Sequence, residues 1–212
     1  QHPRAYEDLI DTCKRVHDKA PKVPLSALVS ATTLDTEKLA VVQASGVDIV
    51  GIGLDAATPE LFDKVRGRSS RSPHSWTHHW DIVRAARERF GPMKVNCHVM
   101  VGLGETDRDL AVLFDRLKRQ QVAAYLFSFN PEEGTDMGDQ PRAPMVRWRR
   151  VQLVKYLLEE REVDLEVLKF DDEGTLIEID LPRVEVEETV QLAVPFMTNG
   201  CPDRTGKMAC NR

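Results

Sequence analysis

The chain has 212 residues, 42% hydrophobic and 30% charged, which suits one large globular domain or a domain with an appendage. Lys and Arg total 29 against 34 Asp and Glu, a net charge of -5 with no basic stripe, which argues against nucleic acid as a partner. No apolar run reaches membrane-spanning length and QHPRAYEDLI lacks the pattern of a signal peptide, so no membrane association and a cytoplasmic setting are expected.

Tyr6, Leu9, Ile10, Cys13 and Val16 recur at helical spacing, and after Pro21 the run VPLSALVS reads as a short buried strand. Asp35 or Thr36 starts a second helix carrying Leu39 and Val42, Gly46 ends it in a left-handed conformation, and DIVGIGLDA follows as a strand. Thr58 and Pro59 suit an N-cap and first helical position for a short helix with Leu61, Phe62 and Val65. Beyond the polar loop RGRSSRSPHS, Trp76, Trp80, Val83 and Phe90 mark a helix that stops at Gly91 and Pro92, and MKVNCHVMVGL is a third strand. Thr106 with Asp109 forms a capping-box pattern opening a helix through Leu110, Leu113 and Leu117, then YLFSFNP is a fourth strand and Met145 to Glu160 a helix. LEVLKFDDEGTLIEIDL predicts a hairpin turning at Asp171 to Gly174, and VEVEETVQLAVPFMTNGCPDRTGKMACNR has strand-like and loop character.

Strands separated by single helices imply parallel neighbours, because a crossover helix must return the chain to the same end of the sheet. The fold class is therefore α/β, half a barrel or a doubly wound sheet over residues 1–162, with a carboxy-terminal β and loop appendage over 163–212. The first helix should itself follow a strand, the chain opens without Met, and it stops just after Cys210, so both ends are expected to be cuts through a longer protein. In such architectures functional groups collect where the βα loops converge, which singles out Ser30 to Thr33, GLDAAT, VGLGET and FNPEEGT. Cys13 reads as a buried apolar residue, and the four cysteines form neither a disulfide framework nor paired CxxC knuckles. His74 and His78 are four apart but sit with His79 in a polar region and read as surface histidines. Cys97 and His98 alternate faces of a strand, so only one can point into a barrel.

Taken in order, these segments resemble the radical S-adenosylmethionine superfamily, in its biotin synthase and lipoyl synthase branch, over about residues 4 to 160. HVMVGLGE is similar to the family's GxIxGxxE-like motif at Gly102 and Glu105, with His98 where the first glycine would stand. GIGLDAATPELFDKVRG resembles the segment whose polar strand-end residue faces the cofactor, here Asp55, with Gly53 where relatives often have an amide. FSFNPEEGT resembles the segment beside the adenine, covering Asn130 and Pro131. The resemblance implies a partial TIM-like (β/α) barrel that binds S-adenosylmethionine through Asp55, Gly53, Gly102, Glu105, Asn130 and Pro131, with no side chain singled out as catalytic.

The resemblance also implies a 4Fe-4S cluster, but the family's CxxxCxxC motif is absent, so the cluster's main ligands would lie outside this chain and the chain alone would not cleave S-adenosylmethionine. The tail resembles lipoyl-synthase-like ends in which Cys201 and Cys210 would ligate an auxiliary iron-sulfur cluster, the rivals being a zinc half-site and plain reduced thiols. The implied activity is hydrogen abstraction by a 5'-deoxyadenosyl radical, with sulfur insertion into an unactivated carbon favoured over methyl transfer, rearrangement or cyclisation. A non-catalytic barrel subunit is the alternative of a different class. Implied partners are a small-molecule or protein-bound acyl substrate and an electron donor such as ferredoxin or flavodoxin.

Overall fold

A computed structural model of the chain describes residues 4–197. Four strands, β1 (Ser26–Val29), β2 (Ile49–Asp55), β3 (Val95–Val101) and β4 (Ala123–Ser128), form an open parallel sheet in the order β1-β2-β3-β4. Helix α1 (Ala5–Lys19) precedes β1, α2 (Thr36–Ala44) joins β1 to β2, α3 (Pro59–Val65) and α4 (Trp76–Phe90) join β2 to β3, and α5 (Asp107–Arg119) joins β3 to β4. Helix α6 (Met145–Glu159) follows β4. The α/β class and the parallel order expected from the alternation are what the structure has.

Helix starts obey local chemistry. Asp35 accepts from the Lys38 amide at 2.8 Å, and Thr58 accepts from Leu61 N at 3.2 Å with Pro59 in the first turn. Thr106 and Asp109 form the capping box, each side chain accepting from the other's backbone amide at 3.1 and 2.8 Å.

The two faces of the sheet differ. Val50, Ile52, Leu54, Val95, Cys97, Val99 and Val101 are fully buried in the core shared with the helices, against side chains such as Phe62, Trp80 and Phe114. Each large apolar side chain so buried contributes roughly 1.5–3 kcal/mol. The alternate residues, Gly51, Gly53, Asn96, His98 and Met100, lie on the opposite face, in register with Tyr125 and Phe127 of β4. On that face Leu28 and Phe127 are 60% and 46% exposed, so it is only partly covered.

After α6 the chain forms the expected hairpin, β5 (Leu168–Phe170) antiparallel to β6 (Leu176–Ile179), with Gly174 at φ 79 in its turn. The strand-like reading of VEVEETVQ is corrected: it is helix α7 (Arg183–Gln191). Pro182 starts it, Arg183 and Glu187 pair one turn apart at 2.6 Å, and the buried Thr189 hydroxyl donates to Glu185 O at 2.8 Å. Val184 is 62% exposed, so the alternating valines have no sheet face to fill. Among the described residues no helix is long and apolar enough to cross a membrane.

Gly46 ends α2 at φ 92, and a Cβ there would stand 2.4 Å from Cγ of His17. Gly46→Ala should therefore lower stability by about 1–2 kcal/mol from the left-handed backbone alone, with displacement of His17 adding to it. Urea unfolding should show an earlier midpoint at an unchanged slope.

Candidate functional site

Because the strands are parallel, the loops after β1, β2, β3 and β4 all open at one edge of the sheet. At the β2 corner Asp55 takes a left-handed φ of 59 beside an irregularity in the β2–β3 register. Its carboxylate pairs with Arg66 just past α3, and Arg66 Nη1 also donates to Gly53 O at 3.3 Å. A Cβ on Gly53 would lie 3.2 Å from that guanidinium nitrogen, so glycine leaves the guanidinium its place. In the β1 loop the Thr32 hydroxyl bonds the His74 imidazole and His78 Nε2 donates to Ala31 O at 2.9 Å. Ser30 Oγ is buried there with no partner among the described residues. Burial, then Arg66, push the His74 pKa down, while Asp55 pulls it up.

Glu105 sits in the β3–α5 loop with its carboxylate wholly buried. Its oxygens accept from Gly102 N at 2.8 Å and Leu103 N at 2.9 Å, and Arg147 of α6 reaches the carboxylate at 3.0 Å and the Glu105 carbonyl at 2.7 Å. Arg147 also pairs with buried Asp107 at 3.0 Å, Arg150 pairs with Asp107 at 2.7 Å, and Leu176 N of the hairpin donates to it at 3.2 Å. Gly102 stands at φ 112, where a Cβ would come within 3.2 Å of Phe129 Cβ, and its carbonyl accepts from the Gln140 amide. Glu105 thus shapes the loop from within. Asn130 is exposed and Pro131 half-buried in the loop after β4. The structure therefore brings Asp55, Gly53, Gly102, Glu105, Asn130 and Pro131 to one edge, while Cys201 and Cys210 lie outside the described residues.

On the open sheet face, the His98 ring lies 4.8 Å from Phe127 and 6.0 Å from Tyr125, nearly parallel to the latter. Burial lowers its pKa and Asp55 raises it. Cys97 faces the other way, its thiol pushed up to about 12 by complete burial. The surface reading of the histidines is corrected: His79 is 1% exposed against Phe62, 4.9 Å away, and donates from Nδ1 to Ser75 O at 2.9 Å.

Arg66, Asn96, Gln140 and Arg147 were not foreseen, and His74, read as a surface histidine, is half-buried against Thr32. Asn96 is the polar residue two before His98 in a valine-rich strand, so period-two reading could have found it, whereas Arg66 caps the end of α3 and no strand period marks it. Arg147 meets its carboxylates 40 and 42 residues away, a distance at which sequence carries no spacing signal.

Residues 1–117 match the Radical SAM superfamily, more than half of the chain. The chain belongs to the radical S-adenosylmethionine superfamily. It is 38% identical over 71 residues to a GTP 3',8-cyclase of Microcystis aeruginosa, covering 32% of this chain and 21% of the cyclase. It is 27% identical over 118 residues to the mitochondrial lipoyl synthase of Phaeosphaeria nodorum, covering 56% of this chain and 30% of the synthase. The matched stretches thus span less than a third of these curated relatives. A structure of the radical S-adenosylmethionine methyltransferase TsrM from Kitasatospora setae, with tryptophan substrate and a cofactor analogue bound, aligns with a TM-score of 0.47 at 17% identity over 87% of this chain and 39% of TsrM.

The family's cofactors are S-adenosylmethionine and a 4Fe-4S cluster, as the sequence resemblance implied. The residues described here do not fit the cluster: Cys13 and Cys97 are buried in the core, and no group of three His, Cys, Asp or Glu among the described residues could hold a metal ion. They do suit the organic cofactor. A carboxylate beside a guanidinium, with an orphaned hydroxyl on the neighbouring loop, matches a ligand end carrying both an ammonium and a carboxylate.

Arg147→Ala should cost roughly 3 kcal/mol in chemical denaturation, the lower end for breaking a buried ion pair, because Arg150 and three backbone amides still serve the two carboxylates. For His79, burial lowers the pKa from 6.5 to about 4, so between those values the unfolded chain binds a proton that the folded one refuses. Stability complete above pH 6.5 should fall by roughly 3 kcal/mol as pH drops towards 4, and urea melts of His79→Gln should lack that component.

Proposed function

We propose that this protein is a radical enzyme that abstracts hydrogen from an unactivated carbon and promotes formation of a carbon-sulfur bond there. The observation that supports the reading most is the gathering of the Asp55, Gly102 to Glu105 and Asn130 loops at one edge of a parallel sheet, beside a face left open between the strands. S-adenosylmethionine, when bound, supplies the 5'-deoxyadenosyl group that takes the hydrogen atom.

The chain's own residues bind and orient. Arg66 and Asp55 offer fixed opposite charges to the methionine end, and Ser30 Oγ is free for a polar contact among the described residues. Gly102 and Gly104, at φ 112 and 120, bring backbone close to a flat ligand, and Glu105 with Arg147 holds that backbone in place. Asn130 and Pro131 are assigned to the adenine side, and Cys201 and Cys210 to the handling of sulfur. A protein-bound acyl chain is the favoured substrate, with ferredoxin or flavodoxin as electron donor.

The lipoyl synthase relative supports sulfur insertion, since its match extends over 118 residues. Ring formation is the second reading, favoured by the 38% identity to a GTP 3',8-cyclase over 71 residues.

The test is anaerobic. Protein prepared from its natural source, its 4Fe-4S content verified by visible absorption, should convert S-adenosylmethionine to 5'-deoxyadenosine under a strong reductant. Cluster-loaded protein that forms none overturns the radical reading. With an octanoylated carrier protein, mass spectrometry should find carbon-sulfur bonds in the product. Turnover of GTP with an untouched octanoyl carrier would shift the assignment to cyclisation.

A further inference from the structure

On the open sheet face, three side chains meet over a residue that has none. A Cβ on Gly51 would stand 3.0 Å from Asn96 Oδ1, 3.4 Å from His98 Nε2 and 3.3 Å from Leu28 Cδ1. Two polar atoms therefore converge on one point that glycine keeps clear. Asn96 is only 3% exposed, and its Oδ1 has no hydrogen-bond partner among the described residues. A buried amide oxygen can only accept, and left unpaired it weakens the fold that carries it.

The surroundings select further. The His98 ring lies against Phe127 and Tyr125, and Phe127 remains 46% exposed, an aromatic wall that the core does not cover. Gly53, in register with His98, continues the floor to the Arg66 guanidinium, which lies over it beside Asp55 at the carboxy edge. Leu28 closes the third side from the edge strand and, at 60% exposure, has room to turn away.

We infer that the sheet face over Gly51 is a specificity-determining subsite for a planar group bearing an N–H donor, with Asn96 Oδ1 as its acceptor and the His98 ring as the surface it lies against. The substrate class is thereby narrowed to molecules carrying an amide or nitrogen-heteroaromatic group. A bare aliphatic chain would leave Asn96 Oδ1 unpaired, so any acyl substrate would have to present such a group at this position. The inference rests on the proposed function only in taking the open face as the substrate side. Burial lowers the His98 pKa, which favours the neutral ring suited to such stacking.

The experiment is a side-chain NMR titration of the full protein with three probes: benzamide, N,N-dimethylbenzamide and octanoate. Benzamide should shift the Asn96 amide and His98 ring resonances in a saturable way, and the dimethyl probe and octanoate should not. Asn96→Leu and His98→Gly should each weaken benzamide binding about tenfold. Far-UV circular dichroism checks their folding, and if Asn96→Leu fails to fold, His98→Gly and the wild-type resonances decide. Unmoved Asn96 and His98 resonances, equal binding of benzamide to His98→Gly, or equal shifts with either other probe would overturn the inference. None of these readouts requires S-adenosylmethionine or a cluster, so their failure is distinguishable from failure of the radical reading.

Discussion

Glu105 and Asp107 are withdrawn almost completely from water, and much of the functional edge depends on how they are answered. Taking a carboxylate out of water costs several kcal/mol unless charge and hydrogen bonds replace the lost solvent. Here the replacements come from three parts of the chain: amides of the loop itself, Arg147 and Arg150 on α6, and the Leu176 amide of the hairpin. Satisfying the two charges therefore fixes the β3–α5 loop, docks α6 and ties the hairpin to the sheet. The hairpin turn adds a second tie, with Arg108 N donating to Gly174 O at 3.0 Å and its guanidinium to Asp171 O at 2.7 Å.

The two faces of the sheet differ in chemistry. Its helix-facing residues are apolar and fully buried, so a cysteine there, Cys97, is a core residue with a suppressed thiolate. Its other face carries glycines, an amide, an imidazole and partly exposed aromatic and aliphatic side chains, a mixture that packs poorly and is better suited to contact with a ligand. The alternation of a strand makes the division automatic: Asn96 and His98 are on the open side because Cys97 is on the closed one.

Membership of the radical S-adenosylmethionine superfamily accounts for the strand-end loops, while the relatives carry out different reactions. One fold serving several chemistries is the general rule for barrels of this kind, in which loops and inward side chains change and the sheet does not. In this chain Asn96 and His98 belong to that variable class by their place on the face opposite the core, whereas Glu105 is spent on holding its own loop.

Much of the fold was legible because its signals are local. Caps at Asp35, Thr58 and Thr106, the stop at Gly46 and the turn at Gly174 each act within a few residues, and hydrophobic periodicity marked the strands and the helices between them. The helix at Arg183–Gln191 was misread because its valines alternate over a short stretch, where periodicity is weak and the burial of Thr189 and the pairing of Glu185 with Arg161 decide. His79 was misread because the polar loop ahead of it was given more weight than its helical spacing from Trp76 and Val83, which puts it on the buried face against Phe62 and His74. Thus the sequence by itself determined the order of elements, the parallel sheet and the edge at which the loops gather, since these follow from backbone geometry and nearest-neighbour chemistry. Only the tertiary structure decided that Arg147 holds Glu105, that Arg66 holds Asp55, and that Asn96 and His98 converge over Gly51, because charges and hydrogen bonds act through space between residues that no spacing in the chain connects.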